Sequence, residues 1–218
     1  MSTRVNQSDR PNSAERAEDH ARPNLHDHVS ANDQSLISRC RAGDVDAFGG
    51  LVLRYQDRLF GTLVHLLGSL DDAREVSQDA FVLAFEKLAT FRGDSAFYSW
   101  LFRIAYNAAM TRKRKERRRP SSIDAVRQER GVEPRDDRAD ADPSSAMHSE
   151  ERQQMVQDAL AELGEDYRTA IILKEIDGLR YDEIADIVGC PIGTVRSRIH
   201  RARQELRERL SRTIQNEL

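Results

Sequence analysis

The chain has 218 residues, with 34 Lys and Arg against 37 Asp and Glu, and a formal net charge of −3. Hydrophobic residues make up 39% and charged residues 33%, a balance that allows small helical cores and excludes one large core, and no apolar run reaches the length of a membrane span. The two cysteines, Cys40 and Cys190, are far apart and outside any Cys-x-x-Cys pattern, which argues against a disulfide scaffold or a zinc site and fits free thiols in a reducing compartment.

The first 32 residues are polar, mixed in charge and without periodicity, so a disordered tail is expected over 1–32. Its histidines, His20, His26 and His28, are too loosely spaced to read as a metal site, and no secretory signal is visible, so the expected location is the cytoplasm. From Asp33 the pattern turns helical. Leu36, Ile37 and Cys40 open a first amphipathic helix, closed by Ala42-Gly43-Asp44. Ala47, Phe48, Leu51, Val52, Tyr55, Leu59, Phe60, Leu63, Val64 and Leu67 predict a long second helix, broken at Gly68-Ser69. Ser69-x-x-Asp72 resembles a capping box, and a third helix follows to about Leu88, with Val76, Ala80, Leu83 and Ala84 inward. Phe91-Arg92-Gly93-Asp94 reads as a loop. A fourth helix is predicted from about Ala96 to Lys115 on Trp100, Leu101, Ile104, Ala105 and Ala108.

Arg112 to Arg119 holds seven basic residues and one Glu, and Pro120 follows. From there almost no large apolar residue occurs until about Ser149, so 116–149 is expected to be a flexible linker. Helical periodicity resumes with Met155, Val156, Ala159, Leu160 and Leu163, and again with Tyr167, Ala170, Ile171 and Leu173.

The last stretch carries the most chemical information. Ile184, Ala185 and Val188 mark one face of a short helix, Gly189 can stop it, and Pro191 suits the start of another. Val195, Ile199, Ala202 and Leu206 then form a stripe that can pack against the first helix. The positions off the stripe hold Thr194, Arg196, Ser197, His200, Arg201 and Arg203. Between Cys190 and Arg212 seven Arg stand against two Glu, a local charge of about +5 in an acidic chain. Two short helices with a tight turn and a basic second helix describe a helix-turn-helix for double-stranded DNA, in which Arg can pair guanine and Ser or Thr can bond bases or phosphates.

Three motifs in order resemble the extracytoplasmic-function (ECF) type of RNA polymerase sigma factor, within the sigma-70 family. Asp72-Ala73-Arg74-Glu75-Val76-Ser77-Gln78-Asp79-Ala80-Phe81 resembles the helix that grips the polymerase clamp. The segment from Phe91 through Arg92-Gly93-Asp94-Ser95-Ala96 to Asn107 resembles the module that opens the −10 promoter element. Gly178 to Arg203 resembles the helix-turn-helix that reads the −35 element. The resemblance covers about 35–115 and 151–210, most of the chain outside the tail and linker. It implies an all-α fold of two small helical domains, sigma domain two and the helix-turn-helix sigma domain four, joined by a flexible linker after a disordered tail. The corresponding boundaries are 33–115, 116–149 and 150–213.

The resemblance also implies sites and partners. Asp72, Glu75, Gln78 and Asp79 would bind polymerase. Arg92, Gly93, Asp94, Ser95, Ala96, Arg103, Asn107, Arg112 and Lys113 would handle the −10 strand. Thr194, Arg196, Ser197, His200, Arg201 and Arg203 would face the −35 duplex. The partners would be core RNA polymerase, promoter DNA and an anti-sigma factor, with no direct membrane insertion, no cofactor and no catalysis. Phe81 reads more readily as core than as a polymerase contact, and so does Trp100. A stand-alone helix-turn-helix regulator is disfavoured because the N-terminal half shows no receiver or ligand-binding pattern. An enzyme is disfavoured because no clustered metal site, nucleophile constellation or phosphate-cradling loop is visible.

Overall fold

The computed structural model describes residues 30–118, 152 and 154–216; the expected tail and linker lie outside the described residues apart from their edges at 30–32 and 116–118. Every regular element among the described residues is helical. The first module comprises α1 (Ala31–Arg41), α2 (Asp46–Leu67), α3 (Leu70–Lys87), a short 3-10 turn (Leu88–Thr90) and α4 (Phe97–Arg118). The second comprises α5 (154–161), α6 (Glu165–Ile171) running into a π-type turn (Ile172–Ile176), α7 (Tyr181–Val188) and α8 (Ile192–Asn216).

Helix α1 starts two residues before Asp33, because Ser30 caps it: the Ser30 hydroxyl accepts from the Asp33 amide at 3.1 Å. Asp33 itself is buried and receives Arg54 at 2.6 Å and the Tyr55 hydroxyl at 2.6 Å, which ties α1 to α2. Ser69 caps α3 by accepting from the Asp72 amide. The reciprocal half of the expected capping box is not the role of the Asp72 carboxylate, which is ion-paired with Arg112 at 2.9 Å. The side chain of Asp is one methylene shorter than the Glu that usually makes this return bond.

The first core is built around Leu51, Leu59, Leu63, Phe97, Leu101 and Phe102, all fully buried. Val76, Ala80 and Ala84 face it as predicted, whereas Leu83 is half-buried. An aromatic group of Phe91, Phe97 and Trp100, with ring centroids 5.1–5.7 Å apart, closes the end of this core under the loop before α4. The second module buries Ile172, Leu173, Leu179, Ile184 and Ile199, continuous with the apolar interior of the first. Gly189 has φ +70°, a left-handed conformation that stops α7 and turns the chain into α8. Pro191 lies just before the first helical residue rather than at it, and its carbonyl accepts from the Thr194 and Val195 amides.

Phe81 is buried at 8% exposure, while its neighbour Phe85 is 42% exposed and meets Phe48 edge-on. Phe81→Ala should therefore destabilise the first module by about 3–5 kcal/mol, lowering its melting temperature by roughly 10 °C or more. Phe85→Ala should cost only about 1 kcal/mol. Thermal unfolding of the two variants side by side checks this, and equal shifts would contradict the assignment of Phe81 to the core.

Candidate nucleic-acid interface

The orientation of α8 follows from its apolar stripe. Val195, Ile199 and Ala202 are buried against α6 and α7, and Leu206 is partly buried at the edge of the same core. With 100° between successive residues, the opposite face must carry Arg196, Ser197, His200 and Arg201, and all four are exposed. Thr194 and Arg203 flank them and are half-buried.

Local contacts arrange these side chains. The Arg196 guanidinium lies 5.7 Å from the centre of the Tyr181 ring, a distance compatible with a cation–π contact. Ser197 donates its hydroxyl to the Thr194 carbonyl at 2.9 Å. Arg201 donates to the Tyr167 hydroxyl at 3.3 Å, and Arg203 makes two bonds to one carboxylate oxygen of Glu175, at 2.9 and 2.7 Å. Arg198, on the same helix, is ion-paired with Asp166. Tyr167, Thr194, Ser197, Arg198 and Arg201 line an open cleft between the start of α6 and α8.

A second exposed surface lies on the first module. Arg92, Gly93 and Asp94 are exposed at the tip of the loop before α4, while Ser95 and Ala96 are half-buried where the chain enters the helix. Gly93 takes φ +82°, which a side-chain-bearing residue rarely adopts, and no atom would crowd a Cβ there. Arg103 and Asn107 are exposed one helical turn apart on α4. Arg112 and Lys113 are half-buried, and both are engaged. Arg112 bonds Asp72 and Glu75, and Lys113 reaches Glu165 of the second module at 3.2 Å.

On α3, Glu75, Gln78 and Asp79 are exposed and Asp72 is half-buried. The four share one face, but Asp72 and Glu75 meet Arg112 rather than open solvent alone. Acidic and basic residues expected to serve different partners are thus brought together within the first module. Sequence reasoning missed a further set altogether. Arg58 of α2, Tyr98 and Ser99 of α4, and Asp177 and Glu183 of the second module meet where the two modules touch. Their sequence separations, 119 for Arg58–Asp177 and 84 for Ser99–Glu183, leave no local signature to read. Among the described residues no group of three or more His, Cys, Asp or Glu is placed to hold a metal ion, and no helix is long and apolar enough to cross a membrane.

Comparison with known proteins is consistent over both modules. Residues 51–119 match the family model for sigma-70 region 2, and residues 153–206 match that for sigma-70 region 4. The ECF RNA polymerase sigma-E factor of Escherichia coli K12 is 45% identical over 176 residues, covering 80% of this chain and 92% of that protein. The RNA polymerase sigma-H factor of Pseudomonas aeruginosa is 42% identical over 177 residues, covering 80% and 91%. Among solved structures, the sigma factor RpoE in complex with the anti-sigma factor NepR from Bartonella quintana aligns with a TM-score of 0.62 and 31% identity, over 75% of this chain and 96% of that one. CnrH in complex with the cytosolic domain of CnrY aligns with a TM-score of 0.59 and 28% identity, over 83% and 97%. With both family models matched and relatives 42–45% identical over 80% of its length, the chain belongs to the sigma-70 family and is an RNA polymerase sigma factor of the ECF type.

Proposed function

We propose that this sigma factor divides promoter recognition between its two modules. Helix α8 reads the −35 duplex through Arg196, Ser197, His200 and Arg201, with Thr194 and Arg203 at the margins. The 92–96 loop, with Arg103 and Asn107, receives an unstacked base of the −10 strand, and Arg112 and Lys113 follow its phosphates. The α3 face of Asp72, Glu75, Gln78 and Asp79 docks on a basic surface of core polymerase. The working domains are 33–115 and 150–213, joined by 116–149. The observation that carries this reading is the outward set on α8: four residues able to donate to base edges or phosphates stand on one exposed face, held there by a buried stripe.

The relative from Bartonella quintana was captured with an anti-sigma factor. We extend that mode of control to this chain, together with action in the cytoplasm on genes of a stress or envelope response. The work is binding and strand separation rather than bond chemistry. Run-off transcription with purified core polymerase tests the assignment directly: the chain should start transcripts at a defined promoter, and a chain that binds DNA without producing any transcript would be a repressor or activator instead.

Residue-level tests follow the same division. Arg201→Ala should cost about 1–3 kcal/mol of −35 binding and relax preference at one base position. Unchanged footprints and promoter output for Arg196→Ala with Arg201→Ala would remove α8 from the reading role. Replacing 92–96 with Gly and Ser should abolish open-complex formation while leaving polymerase binding intact. Permanganate footprints that still show a melted −10 element in that variant would contradict the loop's role. Gln78→Ala with Asp79→Arg should lose transcription and polymerase capture but keep −35 duplex binding, since oppositely charged rims steer association. Capture of core polymerase at the wild-type level would move the docking site elsewhere.

A further inference from the structure

Three arginines of α8 differ in what they meet. Arg198 pairs with Asp166, and Arg203 makes two bonds to one Glu175 oxygen, so each of these cations faces a carboxylate of its own module. Arg201 meets a neutral group instead: its Nη1 donates to the Tyr167 hydroxyl at 3.3 Å. Asp166 and Tyr167 are successive residues of α6, and Arg198 and Arg201 lie one helical turn apart on α8, so the packing of the same two helices produces both contacts. Arg201 is exposed, whereas Tyr167 is half-buried and packs against the edge of the apolar core. The Tyr167 amide bonds the Gly164 carbonyl at 3.0 Å, which fixes its backbone at the start of α6.

We propose that Tyr167 is a positioning residue for promoter reading: its hydroxyl holds the Arg201 guanidinium at the exposed face of α8, so that part of the base preference carried by Arg201 is set from outside the reading helix. The proposal rests on the assignment of α8 to the −35 duplex.

The chemistry of the contact suits this role. Arginine is a long side chain that loses much rotamer freedom when a base fixes it. A bond made before binding removes part of that cost. The anchor must meet two conditions. It must be stiff, and Tyr turns about few side-chain bonds, with the Tyr167 ring further restrained by its packing. It must also leave the cation its charge. A carboxylate would neutralise it, as at Arg198 and Arg203. A hydroxyl accepts a single N–H and leaves the rest of the planar fork for the O6 and N7 acceptors of a guanine. Tyr167 and Arg201 line an open cleft together with Thr194, Ser197 and Arg198, so Arg201 is held without being covered.

Tyr167→Phe removes the hydroxyl and keeps the ring, so it isolates the contact. The full-length variant, assembled with core polymerase, is assayed by run-off transcription on a promoter series in which each −35 base pair is replaced in turn. Arg201→Ala should lose preference at one base pair of the series. Tyr167→Phe should weaken preference at that same base pair by about two- to tenfold, the range for ordering one long side chain at an interface. Preference at the other base pairs and the melting temperature should stay at the wild-type values. In the Arg201→Ala background, Tyr167→Phe should have no further effect, because a residue that acts only through Arg201 has nothing left to act on. An unchanged profile for Tyr167→Phe overturns the positioning role. So does a uniform loss at every base pair, or an added loss in the Arg201→Ala background, since either would make Tyr167 a phosphate contact or a support of the module's fold. If Arg201→Ala itself leaves every preference intact, the −35 reading by α8 falls, and the role of Tyr167 falls with it.

Discussion

The burial of three side chains on α8 governs which face of that helix is exposed. Val195, Ile199 and Ala202 are essentially without solvent contact. Burying a Val or Ile side chain is worth about 1.5–3 kcal/mol, whereas an exposed ion pair contributes about 0–1 kcal/mol. Rotating α8 by a single residue would turn this stripe partly outward, and no rearrangement of surface arginines could offset that loss. The proposed reading face is therefore a by-product of the core. Arg196, Ser197, His200 and Arg201 point outward because the other side of the helix cannot.

Once the helices are fixed, charge pairing sets how the surface behaves. Many of the cations near the proposed DNA surfaces already meet a carboxylate of the same chain: Arg198 with Asp166, Arg203 with Glu175, Arg112 with Asp72 and Glu75, and Lys113 with Glu165. A phosphate must displace these partners, so each contact exchanges one anion for another. The net gain per contact is then smaller than for an isolated cation. That suits a chain of net charge −3, for which the proposed reading draws promoter affinity from core polymerase holding both modules together rather than from bulk attraction.

Helical periodicity made the elements legible, because a buried stripe leaves a mark every three or four residues. The second helix was readable from Ala47 to Leu67, and α8 from four apolar positions. The turn between α7 and α8 was readable because Gly189 takes a conformation few residues tolerate. Details that depend on one side-chain length or one residue of phase were less legible. Asp72 sits where a capping-box Glu would return to Ser69, but its carboxylate faces Arg112. Pro191 lies one position earlier than its helix-starting preference suggests. Contacts between modules left no trace at all, since Arg58 and Asp177 look like any other charged residues on their own segments. Their relation exists only once both cores have formed.

Backbone irregularity is what brings Asp177 to that junction. After α6 the chain tightens less than an ordinary helix, so that the Asp177 amide bonds the Ile172 carbonyl, five residues back, at 3.1 Å. The Leu179 amide then returns to the Leu173 carbonyl at 2.9 Å, which turns the segment toward α7 and buries Leu179 in the module's own core. Continuing α6 as a regular helix would carry residue 177 round by 100° per position, along with the carbonyl to which Arg58 Nη2 donates. Such wide turns within helices recur where a side chain must be aimed. Here the turn serves two neighbours at once: it delivers Leu179 to the core that orients α7 and α8, and it delivers Asp177 to the first module. The register of α7 and α8 and the placement of the inter-module charge pair are thus set by the same five residues, Ile172–Ile176, so a change in that turn should disturb both together.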